Sequence, residues 1–468
     1  MKLLISSLLS LFISFSAYSQ DIITVSKIII NGNKVTQNEI ILREIAFQKD
    51  SSFSQINFSK NLKKSKENLV NLKLFNFVEI NPIIEEGKAE ITINLTERWY
   101  LWPYPVFEIS ERNFNTWWQE FKGSNYSDFS RLNYGLFLNW ENFRGRNELI
   151  RIKLRKGFKE HYLFAYEIPY INKRRSIGVN TYLQLFRRKK SFYKTENDTL
   201  IYFIRNDEFT TKDYEIKTEI SYRKAVHKTH KLIFHYFLSN IDSGIINRNP
   251  YYLNNSTNSG SYSKLTYQFT NENRDYIEYP LNGHYLYLEG SKYIKGTSPV
   301  NHFEIIGQAE KHIQLKNRFF LGSSFKGKWS SNGYQPYFAQ EGFGFEDYVR
   351  GYEYYVVDGQ QFWLSKTVLK YALIKKTNFE IPYVKMNQFN KAHYSLYLGF
   401  FSDMGYIIDK QTNQKNRLSN LLLWGNGISL DYVTYYDKLL RIEFSVNHLG
   451  EKAVFLHFSN PFGSKKKL

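Results

Sequence analysis

From about Trp99 onward, apolar and polar residues alternate with a period of two. Tyr214, Ile216, Ile220 and Tyr222 interleave with Glu215, Lys217, Glu219 and Arg223, and Ile442, Phe444 and Val446 with Arg441, Glu443, Ser445 and Asn447. Successive strand side chains point to opposite faces, so each segment has one oily and one charged side. We count about sixteen such segments between Tyr104 and Phe462, most of roughly ten residues, which suits the ~9–11 residues a tilted strand needs to cross a bilayer. Soluble strands are usually ~5–6 residues long. Connections alternate between tight ones, as at Tyr435-Tyr436-Asp437, and long polar ones, as at Lys189 to Thr211 and Asp242 to Ser261.

Residues 21–97 read differently. Val25 to Ile30 is a strand ending at Asn31-Gly32-Asn33, and Thr36-Gln37-Asn38-Glu39 matches a capping box, in which hydroxyl and carboxylate satisfy each other's free amides at a helix start. That helix runs to about Ile45. Phe58, Leu62, Leu69 and Leu72 fall at helical spacing and predict a second helix, followed by strands at Phe77 to Ile84 and Ala89 to Leu95 around Glu86-Gly87. The expected order is strand, helix, helix, strand, strand. Before it, Met1-Lys2, the apolar stretch Leu3 to Phe15 and Ala17-Tyr18-Ser19 have the layout of a secretory signal, residues 1–19, cut after Ser19. The stretch is shorter than the ~20 apolar residues of a membrane anchor and is broken by serines.

Composition narrows the choice. A net charge of +19 would ordinarily raise nucleic acid as a partner, but the export signal argues against it. The absence of Cys rules out a disulfide-stapled domain, a thiolate zinc site and a lipid anchor. No window beyond residue 20 approaches the ~18 apolar residues of a transmembrane helix. Alternation alone does not separate a soluble sandwich, charged face outward, from a membrane barrel, charged face toward a wet lumen. Strand number, strand length and the 18% aromatic content favour the barrel. The expected fold is therefore mainly β: a 16-stranded antiparallel transmembrane β-barrel over residues 99–462, preceded by one small βααββ domain and followed by a basic tail, 463–468.

Catalytic signals are poor. There is no Gly-x-Ser-x-Gly elbow and no phosphate-binding glycine loop, so neither enzymatic chemistry nor a cofactor is expected. No metal is expected either, since His227 and His230, three apart on a strand, point to opposite faces. The basic runs Arg187 to Lys190 and Lys465 to Lys467 read as solvated, the first suiting a loop near acidic lipopolysaccharide.

Several short motifs add a resemblance. Element order, Ile30-Asn31-Gly32-Asn33, Leu74-Phe75-Asn76-Phe77-Val78 and Thr96-Glu97-Arg98 make the front domain similar to a POTRA domain. Trp140-Glu141-Asn142-Phe143-Arg144-Gly145-Arg146, Asn271-Glu272-Asn273-Arg274-Asp275 with Pro280 and Gly283, Val349-Arg350-Gly351-Tyr352, and Phe401-Ser402-Asp403-Met404-Gly405 follow in order. With these the chain resembles the outer-membrane protein assembly superfamily: BamA- and TamA-like proteins, bacterial surface antigens and two-partner secretion transporters. The resemblance implies an outer-membrane location with the POTRA domain in the periplasm. It implies insertion or translocation of unfolded outer-membrane or secreted client polypeptides, in contact with outer-membrane lipid and lipopolysaccharide, with accessory periplasmic or lipoprotein subunits and no nucleic acid. A dedicated two-partner-type transporter or a solute pore is the alternative.

Site residues follow from the resemblance. Val349, Arg350, Gly351 and Tyr352 lie in the loop between the eleventh and twelfth strands, which in the family folds into the lumen, so that Arg350 meets Asp403 on a strand that also carries Phe401 and Gly405. Parity puts Asp403 inward with Tyr397 and Gly399, and Leu396, Leu398 and Phe400 toward lipid. Where the family often has a second acidic partner, this chain aligns Val368. Asn273, Arg274, Asp275, Pro280 and Gly283 form the strand-end motif. Pro105 in the first strand, and Pro461 beside Phe462 in the last, lack ladder amides. They mark either a weak barrel seam able to open to a client strand or simple strand ends near the interface. The POTRA edge is either a strand-addition site or a support.

Overall fold

The computed structural model of the protein describes residues 22–109, 122–127, 129, 132–253, 257–331, 335–386, 388–410, 416–436 and 438–458. The expected signal at 1–19, Asp437 of the tight turn, Pro461, Phe462 and the basic tail lie outside the described residues.

The N-terminal domain contains strands β1 (Ile22–Asn31), β2 (Ser52–Ser54), β3 (Phe75–Glu85) and β4 (Lys88–Glu97) with helices α1 (Asn38–Glu44) and α2 (Gln55–Asn71). Its sheet order is β2-β1-β4-β3, and β1 and β4 run parallel because the helices supply the crossover that parallel strands require. Ile41 of α1 and Phe58 and Leu69 of α2 pack on Val25, Ile91 and Ile93, at alternate positions of the sheet. Two details depart from expectation. The short strand β2 pairs with β1 ahead of α2. There is also no capping box: α1 is capped by Gln37 without a side-chain bond. The Thr36 hydroxyl instead donates to Glu97 Oε1 at 2.6 Å, and the amides of Val35 and Thr36 donate to the same carboxylate. The Glu97 carboxylate of the exit strand gathers these three donors and so turns the Thr36 side chain away from the helix end.

The barrel continues with β5 (Leu101–Ile109), β6 (Leu132–Phe143), β7 (Glu148–Gly157), β8 (Lys159–Ile168), β9 (Ile177–Arg188), the hairpin β10 (Lys190–Glu196) and β11 (Thr199–Ile204), β12 (Thr211–Ala225), β13 (Lys228–Ile241), β14 (Ser259–Glu272), β15 (Gly283–Lys295), β16 (Phe303–Lys316), β17 (Phe319–Ser330), β18 (Gln361–Glu380), β19 (Lys391–Ile408), β20 (Leu422–Thr434), β21 (Lys438–Asn447) and β22 (Lys452–His457). All but the hairpin form one 16-stranded antiparallel sheet in chain order, eleven strands before Val349 and five after Gly359. Its outer face carries exposed Phe400, Met404, Ile428, Ile442, Phe444 and Val454, while Asp403, Asp431, Arg441 and Glu443 on the inner face are buried. Apolar outside and charged inside inverts the soluble pattern and suits a lipid-facing wall.

Residues 189–211, expected as a long polar loop, fold as the β10–β11 hairpin, since alternation continues there and Lys190 pairs with Ile204. Arg187 and Arg188, expected to be solvated, pair with Glu160 and Asp213 at the end of β9. The loop after β13 contains the short helix α3 (Ser243–Arg248). β5 and β22 are the ends of the sheet, and among the described residues no ladder joins them. The contacts across this side go to the turn between β20 and β21: Trp102 of β5 meets the Tyr436 ring edge-on at 5.5 Å, and the Trp99 amide donates to the Tyr436 hydroxyl at 3.1 Å. Pro105 lies in β5 opposite Leu136 of β6.

Candidate functional site in the barrel lumen

Residues 335–360, between β17 and β18, fold inward. Of these, Phe343, Val349, Tyr352 and Val357 pack against Phe362, Leu364, Ile407 and Leu423 of β18, β19 and β20, so apolar burial carries a polar tip into the lumen. At that tip Tyr352 N–H bonds the Val349 carbonyl at 3.1 Å, and Gly351 takes a φ of +95°, which a side chain would resist. Arg350 and Asp403 are both fully buried. Arg350 Nε donates to Asp403 Oδ2 at 2.7 Å and Nη2 to Oδ1 at 2.5 Å, while the Arg350 amide reaches Oδ2 at 3.3 Å. The Phe401 ring, two residues earlier on the same inner face, lies 3.9 Å from the guanidinium carbon. A planar fork held by two bonds and a ring has one orientation, which a lysine could not reproduce.

The wall makes room for this loop. A β-carbon on Gly425 of β20 would stand 1.8 Å from the Arg350 carbonyl oxygen, and one on Gly405 would collide with Phe343 and Val349. Val368 is buried against Phe401. Its neighbour Lys366 stands opposite Asp403 in the β18–β19 register, with its Nζ 4.3 Å from the Tyr348 ring centre.

A second segment enters from the opposite end. Between β14 and β15, Asp275 Oδ1 accepts the amides of Tyr276, Leu281 and Asn282 at 2.9, 3.0 and 3.1 Å and so closes the turn. Arg274 pairs with Glu272 and Glu310, Asn273 donates to the Asn271 side chain, and Gly283 has a φ of +106°. The Pro280 carbonyl accepts Lys370 Nζ at 3.0 Å. The strand-end motif thus aims Tyr279 into the lumen, where its hydroxyl donates to Asp431 Oδ2 at 2.7 Å. Arg441 Nε and Nη2 hold both oxygens of Asp431 at 2.6 Å. Tyr279, Lys370 and Asp431 belong to no motif. For Lys370 and Asp431 the available signal was inward parity, Asp431 standing directly opposite Arg441 in the β20–β21 register, whereas Tyr279 lies between strands, where parity gives no signal.

The N-terminal domain grips the barrel at this same end. Glu44 of α1 receives Arg223 Nη1 and Nη2 at 2.6 and 2.8 Å, Arg43 at 3.0 Å and the Tyr170 hydroxyl at 3.3 Å. Asn142, at the end of β6, donates to Thr36 Oγ1 at 2.8 Å, and the Gln37 amide bonds the Gly145 carbonyl, in the turn between β6 and β7, at 2.9 Å. His227 and His230 do not converge: the first bonds the Glu272 carbonyl and the second the Tyr267 hydroxyl.

At the far end the β10–β11 hairpin, the inward loop and the segment before β20 form a cap. Asp198 accepts the amides of Arg417 and Leu418, each at 3.2 Å, and its carbonyl takes the Val356 amide at 2.9 Å. Beside it, burial pushes the Asp358 carboxyl up to about 7; the Thr195 hydroxyl opposes the shift, and the carboxylates of Asp409, Asp198 and Glu341 reinforce it. A raised acid pKa means that the folded cap holds more protons than the opened one. Its stability is therefore greatest below the ordinary carboxyl range, falls as pH rises through about 7 and levels off above that. Amide exchange of residues 340–358, corrected for intrinsic rates, should show less protection at pH 8 than at pH 5. Asp358→Asn should flatten that slope, and an equal slope in the variant would reject the assignment.

The geometry can be compared with known proteins. The Omp85 superfamily domain profile matches residues 142–446, and the POTRA profile, described as surface antigen variable number repeat, matches residues 23–98. No curated protein matches the sequence. The chain is similar to the crystal structure of BamA from Haemophilus ducreyi lacking POTRA domains 1-3, with 13% identity, a TM-score of 0.51, and coverage of 93% of this chain and 83% of that one. It is also similar to CdiB from Escherichia coli, with 11% identity, a TM-score of 0.52, and coverage of 93% and 75%. At these identities the likeness concerns the fold.

Proposed function

The chain belongs to the Omp85 superfamily, whose POTRA-bearing β-barrels are outer-membrane proteins, and from that premise we propose that it promotes insertion of polypeptides into this membrane, or their passage across it, without covalent chemistry. The observation that carries the proposal is the buried Arg350–Asp403 fork, which holds an inward loop against the wall of a lipid-facing barrel. In this reading the N-terminal domain lies in the periplasm and meets clients before the barrel does. Its outer strand β3 ends in exposed Ile83 and Ile84, an edge suited to strand addition by an unfolded segment. Side-chain contacts between β5 and the Tyr436 turn leave the described edges of β5 and β22 available to an incoming strand.

The test is folding of a denatured client barrel into liposomes with and without the purified protein. We expect faster folding; no acceleration by correctly folded protein would discard the insertion reading. Bilayer conductance addresses the pore alternative. Two inward segments predict small, flickering events, whereas a large steady current would favour solute transport.

A further inference from the structure

Inside the barrel, Glu353 of the inward loop, Glu443 of β21 and His457 of β22 converge from three stretches of chain. Strand parity sets Glu443 on the inner face, and the β21–β22 register puts His457 opposite Arg441, one inward position away. Glu443 is fully buried, and neither of its carboxylate oxygens has a hydrogen-bond partner among the described residues. The same holds for His457 Nε2 and Glu353 Oε1. Glu353 Oε2 accepts the Gly351 amide at 2.8 Å, which turns Oε1 toward the other two side chains.

The spacing is informative. His457 Nε2 lies 3.7 Å from Glu353 Oε1 and 4.0 Å from Glu443 Oε1, and one ligand atom from each residue lies within 4.8 Å of the others. These gaps exceed the ~2.7–3.2 Å of an N–H···O bond, so a proton on His457 does not satisfy the carboxylates. Around a tetrahedral ion with bonds of about 2.1 Å, ligand atoms stand about 3.4 Å apart, within reach of side-chain shifts of about 1 Å or less. The nearest guanidiniums hold other carboxylates, Arg350 that of Asp403 and Arg441 that of Asp431; each keeps one Nη1 without a hydrogen-bond partner, but neither bonds a Glu443 oxygen. A buried carboxylate with two unpartnered oxygens is costly unless a cation meets it.

We propose that Glu353, Glu443 and His457 bind a divalent transition-metal ion, with water completing the coordination. One imidazole and two carboxylates suit Zn²⁺. The ion ties the loop that carries Arg350 to the last two strands of the barrel. This site goes beyond the insertion reading and does not depend on it.

The test uses the full-length protein folded in detergent, stripped with EDTA and titrated with Zn²⁺ alone against a chromogenic chelator. One equivalent should bind. Glu443→Gln and His457→Ala should each weaken binding by at least about tenfold while gel mobility still reports a folded barrel, and His230→Ala should leave it unchanged. No stoichiometric uptake by the wild-type protein, or unaltered affinity in His457→Ala, would overturn the site. If a variant fails to fold, wild-type protein loaded with Co²⁺ decides: an intense low-coordination visible band with histidine coupling supports the site, and a weak aquo-type spectrum rejects it.

Discussion

Replacing Arg350 with alanine is expected to abolish most of the client-folding activity and to free the inward loop. The substitution leaves the Asp403 carboxylate fully buried without its two guanidinium bonds and removes the cation from the Phe401 ring. Removing one partner of a buried pair costs ~3–5 kcal/mol, and the full burial of both partners puts this pair in that range. Lys366, opposite Asp403 in register, can recover part of the charge but not the fork. Arg350→Lys should therefore be intermediate. Arg350→Asp combined with Asp403→Arg should restore part of the activity: charge is balanced again, but the Arg350 amide bond to Asp403 and the ring stacking are not. The measurements are client folding in liposomes and protease cleavage between Ser331 and Gln360. Full activity and unchanged cleavage in both single variants would remove the pair from the mechanism.

The second large effect is expected at Glu44. Glu44→Ala brings two guanidiniums, Arg43 and Arg223, together with no carboxylate between them. The like charges then repel where an ion pair had joined α1 to the end of β12. Arg223 keeps 23% of its side-chain surface exposed, so solvent softens the loss below the ~3–5 kcal/mol of a wholly buried pair. The N-terminal domain should loosen from the barrel while staying folded, because its own core does not include Glu44. Hydrogen exchange should rise in α1 and in residues 169–176, and Glu44→Ala with Arg223→Ala should be strongly non-additive. Additive effects, or unchanged exchange, would show that the domain is held elsewhere, at Asn142 and Gly145.

The legible parts of this protein were those with local causes. The pleat sends alternate residues to opposite faces wherever a strand forms, so Tyr397, Phe401 and Asp403 could be assigned to one face before their contacts were known. The helices of the front domain were equally legible, because Phe58 and Leu69 are spaced by the turn of the helix that buries them. Thr36 shows where this stops. Its spacing to Glu39 is that of a capping box, yet its hydroxyl belongs to Glu97, 61 residues away, whose carboxylate also gathers the amides of Val35 and Thr36. The hairpin at Lys190 to Ile204 was hidden for another reason: its alternation is that of any strand, and whether a segment pairs with itself or stays a connection between wall strands is not written in its own pattern.

Taken alone, the chain determined the class of fold and the alternation of wall residues between two faces, while the meeting of Arg350 with Asp403 was implied by the resemblance of its motifs to a family. Only the tertiary structure decided that Tyr279 reaches Asp431, that Glu44 takes Arg223, and that Glu353, Glu443 and His457 share one point. Alternation is set by the sterics of neighbouring residues, whereas these contacts depend on register summed around the whole cylinder, which no local pattern records.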